Sequence, residues 1–109
     1  MLEDLGAGDS DFRWDLRYLC EGPPMEIRPD EAVVQSLGMA VEEVLGRRAE
    51  IGIWSATSDA GIMCREGIPS VICGPGSLSR AHNPDEWVEV DEVISAARVY
   101  CLATLDLLS

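Results

Sequence analysis

The stretch at residues 67–90, Gly-Ile-Pro-Ser-Val-Ile-Cys-Gly-Pro-Gly-Ser-Leu-Ser-Arg-Ala-His-Asn-Pro-Asp-Glu-Trp-Val-Glu-Val, limits the fold more than any other part of the chain. Residues 68–73 form a short apolar run rich in β-branched side chains, bounded by Gly67 and by Gly74-Pro75-Gly76. That pattern predicts a buried strand whose C-terminal end opens into a loop. In open α/β sheets, ligands bind at such strand ends. Six residues past Gly76 comes His82, the only histidine, followed by Asn83-Pro84-Asp85-Glu86. An imidazole and two carboxylates therefore share a turn that Pro84 stiffens.

The remaining elements follow in order along the chain. Residues 1–10 read as the last turn of a helix running into a loop, with no cap at its start. Residues 12–19 alternate Phe12, Trp14, Leu16 and Tyr18 against Arg13, Asp15 and Arg17, the period of a strand with one covered face. Gly22-Pro23-Pro24 breaks this pattern and marks the best internal boundary. Asp30 is the expected N-cap of a helix over residues 31–45, whose Val33, Val34, Leu37, Ala40, Val41 and Val44 recur at helical spacing before Gly46 stops it. A strand at residues 50–54, a short helix at 58–66 and the strand at 68–73 complete an αβαβ succession that favours a parallel pair. Residues 87–90 offer a short edge strand. Asp91 is the expected cap of a final helix carrying Val93, Ile94, Ala97, Cys101, Leu105 and Leu108 on one stripe. The expected fold class is α/β: a partial three-layer unit with a short, mostly parallel sheet and about three helices, preceded by an unpartnered helix end and strand.

Size and charge narrow the function classes. At 109 residues the chain is the length of one small domain, and 47% apolar content argues for a folded core despite a net charge of -12. An acidic surface of this kind repels phosphate backbones and anionic headgroups, so neither nucleic acid nor a membrane surface is an expected partner. No apolar run approaches the ~20 residues of a membrane span and no signal core is present, which makes a cytoplasmic location the default expectation. Cys20, Cys64, Cys73 and Cys101 lack paired spacing and are expected to be reduced, buried side chains.

Gly67-Ile-Pro-Ser-Val-Ile-Cys-Gly-Pro-Gly-Ser77, then Ala81-His-Asn-Pro-Asp-Glu-Trp-Val88, resembles the C-terminal signature of the zinc-dependent amidohydrolases and metallopeptidases that include acetylornithine deacetylase, succinyl-diaminopimelate desuccinylase and related carboxypeptidases and aminoacylases. The likeness extends upstream through Thr57-Ser58-Asp59-Ala60 and Pro23-Pro24 to about Leu2. It implies that residues 1–24 are the end of a lid, or dimerisation, domain and that residues 25–109 finish a catalytic domain. It also implies that His82 is a zinc ligand. Enzymes of this family hold two zinc ions, for which cobalt is a possible substitute, about a water. Their His-x-Asp motif, bridging aspartate and paired glutamates lie in an N-terminal part that has no counterpart here. The resemblance thus implies that the chain alone is inactive, that its partner is the missing N-terminal half, that the complete enzyme dimerises, and that its substrate is an N-acyl amino acid or small peptide.

Read residue by residue, the candidates keep their plainer alternatives. His82 is one metal donor where zinc takes about four. Asp85 and Glu86 are either acceptors that orient its ring or solvated carboxylates. Gly74, Gly76 and Ser77 either turn backbone donors toward a substrate or make a tight turn. Thr57 and Ser58 begin a helix, where a capping role and a substrate-binding role coincide. Gly61 stands where desuccinylases carry arginine, which implies a preference away from succinyl substrates. The competing reading is a non-catalytic α/β module that self-associates through residues 12–19. An anion-binding domain built on the glycine bend is a third.

Overall fold

Two helices of unequal length meet along one apolar seam, and the remaining described chain is loops carrying two short helices and a 3-10 turn. The computed structural model describes residues 2–19 and 21–109. In chain order it contains α1 (Leu2–Gly6), α2 (Ala32–Leu45), α3 (Ala60–Arg65), a single 3-10 turn (Leu78–Arg80) and α4 (Val90–Leu108).

The α2 helix forms where the apolar spacing predicts it, and Gly46 ends it in a left-handed C-cap whose N–H donates to the Glu42 carbonyl at 2.9 Å. Its start differs from expectation. Glu31, not Asp30, occupies the N-cap position and makes no side-chain cap. The Asp30 carboxylate is instead taken by Arg28, whose Nε donates to Oδ1 at 2.9 Å. That hydrogen bond, with the Glu31 charge second, raises the Arg28 guanidinium above its ordinary value. Asp91 is likewise inside α4 and not its cap, because the helix begins at Val90 behind an extended Glu89. Asp91 and Glu92 in the first turn still favour the helix by lying at the positive end of its dipole.

Packing of α2 on α4 supplies the core. Ala40, Val99 and Ala103 are buried, and Leu37, Val41 and Val44 close over them. Alanine on both sides lets the backbones approach, and full burial of one valine contributes roughly 1.5–3 kcal/mol. A hydrogen bond from Ser36 Oγ to Asp106 Oδ2 ties the far end of the seam. Ser36 is buried, so the bond satisfies a hydroxyl that water does not reach.

The expected parallel sheet is absent, and the α/β class is corrected to a helical architecture: among the described residues no strand forms. Outside the helices, every backbone–backbone hydrogen bond among the described residues joins positions at most five apart. A sheet needs ladders between segments distant in sequence, and residues 12–19, 50–54, 68–73 and 87–90 make none. Side chains expected on covered faces accordingly lie open, with Tyr18 at 91% and Ile53 at 100% exposure. Phe12, half-buried against Gly6, and Val71 and Ile72, half-buried beside the buried Ser70, are exceptions. Of the cysteines, Cys73 and Cys101 are exposed and Cys64 half-buried, so the expected burial fails for two of them; Cys20 lies outside the described residues.

The result is elongated. The radius of gyration is 20.1 Å, with extents of 64 × 37 × 20 Å. A compact chain of this length would have a radius near 13 Å.

Candidate functional site

The glycine bend is held from behind by α4. Tyr100 donates its hydroxyl to the Cys73 carbonyl at 2.7 Å, and the Gly76 N–H donates to Glu92 Oε2 at 2.8 Å. Gly76 is left-handed at φ 87°, a conformation that calls for glycine, while an added Cβ would only touch Val88 Cγ2 at 3.4 Å. Partial desolvation pushes the Cys73 thiol up and, with the Cys73 charge second, the Tyr100 phenol up. Both groups are therefore held more firmly in their neutral forms.

Past the bend, Ser77 caps the 3-10 turn. Its Oγ accepts from the Ser79 N–H at 3.4 Å and shares a 2.9 Å hydrogen bond with Ser79 Oγ. Arg80 then lays its guanidinium over the Trp87 ring, 3.6 Å from the centroid. Between these two residues is His82, exposed and left-handed at φ 60°, with its backbone N–H donating to Glu86 Oε2 at 3.0 Å. Asp85 is exposed beside it.

The second cluster lies at the start of α3. Ser58 Oγ accepts from the Ala60 N–H at 3.1 Å, an exposed turn that leads into the helix. Gly61 is buried, and a Cβ built on it would fall 2.2 Å from the Pro23 carbonyl oxygen. No side chain, arginine included, fits there unless the Pro23 segment moves.

An open cleft of about 1160 Å³ brings Thr57, Ser58, Gly74 and Gly76 to one surface, alongside the Pro23-Pro24 segment and the apolar Ile51, Trp54 and Ile72. His82, Ser77, Asp85 and Glu86 do not line it. Four of the five expected substrate-side residues thus share a cleft, whereas the expected metal donor stands on the loop beyond. Zinc takes about four ligands, usually three from protein at a catalytic site. Among the described residues no three His, Cys, Asp or Glu side chains converge, so on their own they do not fit a zinc ion. His82 is a single donor.

Sequence reasoning missed Glu92 and Tyr100 as the residues holding the bend. Glu92 follows Gly76 by 16 positions and Tyr100 follows Cys73 by 27, and no spacing rule links a loop to a later helix at such distances. The pairing of Arg80 with Trp87 had a usable signal, since a cation and an indole flank a tight turn.

Comparison with known proteins gives the same picture of kinship. The sequence model described as peptidase family M20/M25/M40 matches residues 5–106. The protein named YgeY in Escherichia coli (strain K12) is 30% identical over 91 residues, covering 83% of this chain and 23% of that protein. A Bacillus subtilis (strain 168) N-formyl-4-amino-5-aminomethyl-2-methylpyrimidine deformylase is 29% identical over 93 residues, 81% of this chain and 22% of its own. An acetylornithine deacetylase of Edwardsiella ictaluri is 34% identical over 58 residues, 53% of this chain and 14% of the enzyme. The chain therefore spans less than a quarter of the length of these curated relatives. No solved structure matches it. No helix among the described residues is long and apolar enough to cross a membrane.

Proposed function

The chain belongs to the peptidase family M20/M25/M40, and from that premise we propose that it is the C-terminal portion of a zinc-dependent amidohydrolase cleaving the amide bond of N-acyl amino acids or small peptides. His82 gives one ligand to the metal, and the other ligands and the general base come from the polypeptide that completes the enzyme. Thr57, Ser58, Gly74 and Gly76 border the substrate, with Ser77 shaping the loop between cleft and imidazole. The chain alone is inactive.

The observation that carries this reading is the exposed imidazole of His82, on the same loop as a glycine bend that borders an open cleft. Two relatives add support, since the printed names deacetylase and deformylase both denote removal of an acyl group. The Gly76 amide complicates the simplest version. It already donates to Glu92, so a substrate carboxylate would reach it only by displacing that side chain.

The deciding experiment is hydrolysis of N-acetylornithine and several N-acyl amino acids, with zinc or cobalt added. The purified chain is expected to show no turnover and only weak, substoichiometric metal uptake. Co-expression with the N-terminal half of a family member is expected to restore activity, and His82→Ala to remove it. Turnover, or tight binding of a full zinc equivalent, by the chain alone overturns the proposal.

A further inference from the structure

His82 is the single non-glycine residue with positive φ among the described residues. A residue with a Cβ is uncommon in that region, and although histidine enters it more readily than most, the conformation costs free energy that neighbouring contacts can offset. Here they do so from both sides. The Glu86 carboxylate accepts the His82 N–H at 3.0 Å, while the Glu86 N–H donates to the Asn83 carbonyl at 3.1 Å. Asn83 reaches back, its Nδ2 donating to the carbonyls of Ser79 at 3.1 Å and Ala81 at 3.4 Å. Outside this ring of bonds, the Arg80 guanidinium on the Trp87 indole pins the two ends of the segment together.

We propose that Glu86, assisted by the Arg80–Trp87 stack, is a positioning residue that locks the His82 backbone in its left-handed conformation, so that the imidazole is presented from a pre-set loop. The inference rests on the reading of His82 as a metal ligand. It assigns Glu86 a different task from orienting the ring, because its carboxylate grips the main chain. Holding the donor before the metal arrives removes from binding the entropy of ordering it.

Nuclear magnetic resonance on the metal-free chain tests this without any reference to activity. In the unsubstituted chain the His82 amide is expected to exchange more slowly than those of its exposed neighbours and to show the coupling constant of positive φ. The Arg80 side-chain protons are expected to be shifted upfield by the Trp87 ring. Glu86→Ala is expected to speed His82 exchange roughly tenfold, the equivalent of one lost charge-assisted bond, whereas Glu86→Gln, which keeps an acceptor oxygen, retains part of the protection. Helical circular dichroism reports separately whether α2 and α4 survive. Should Glu86→Ala disturb them, the unsubstituted chain still decides through its own His82 coupling and exchange. An unprotected His82 amide in that chain, or unchanged exchange in a folded Glu86→Ala variant, overturns the lock. Failure of zinc to bind His82 in the completed enzyme would remove the ligand reading and leave the lock standing.

Discussion

Across the α2–α4 seam Val99 and Ala103 are 3% and 6% exposed, whereas Ile53, inside the apolar run at residues 50–54, is completely open. The difference is in what each backbone needs. A helix closes its own hydrogen bonds, so one apolar stripe and one partner stripe are enough to bury it. A strand-forming segment has no such autonomy, because half its stabilisation must come from another segment's amides and carbonyls. Residues 50–54 and 68–73 find no such partner among the described residues, and residues 50–54 and 71–73 border an open cleft.

Three substitutions sharpen this contrast or break it. Val99→Asp places an unpaired carboxylate at the centre of the seam and is expected to cost more than about 3 kcal/mol, abolishing the cooperative helical melt followed by circular dichroism. Gly61→Ala comes next. Helix propensity alone favours alanine by about 1 kcal/mol, yet the new Cβ meets the Pro23 carbonyl, a backbone atom that cannot swing aside. Net destabilisation of about 1–3 kcal/mol by urea titration, with faster proteolysis near Pro23, is expected; a stabilised variant would show that the two segments are not in contact. Ile53→Lys should shift stability by no more than about 0.5 kcal/mol in the same assay. A larger loss would mean that the open segment is covered in solution.

The same contrast explains what could be read in advance. α2 was legible because its signal is local: Val34, Leu37, Val41 and Val44 repeat on one face, and Gly46 supplies a stop. For α4 the helix was legible but its inner face was not: the expected stripe of Val93, Ile94, Ala97, Cys101, Leu105 and Leu108 lies exposed, and the smaller Ser95, Ala96, Val99 and Ala103 turn inward, with Val99 and Ala103 against Ala40 of α2. The cap was missed by one residue at α2, where Arg28 draws Asp30 away, and by two at α4, where Glu89 takes the cap position and Asp91 settles inside the first turn. β-branched Ile51, Ile53, Val71 and Ile72 carry strand propensity, but propensity does not create the partner that a ladder requires. At the candidate site, the loop and its residue types were visible as a motif. The tethers from Glu92 and Tyr100 were not, because they depend on how α4 lies against the bend.

The 64 Å long axis bears on any attempt to weigh this protein in solution. An extended body drags more solvent than a sphere of equal mass, so it leaves a sizing column early and sediments slowly. A single copy would then pass for a heavier particle on the column and for a lighter one by sedimentation rate, and a claim of self-association through the open face around Leu16 and Tyr18 has to rest on mass measured independently of shape.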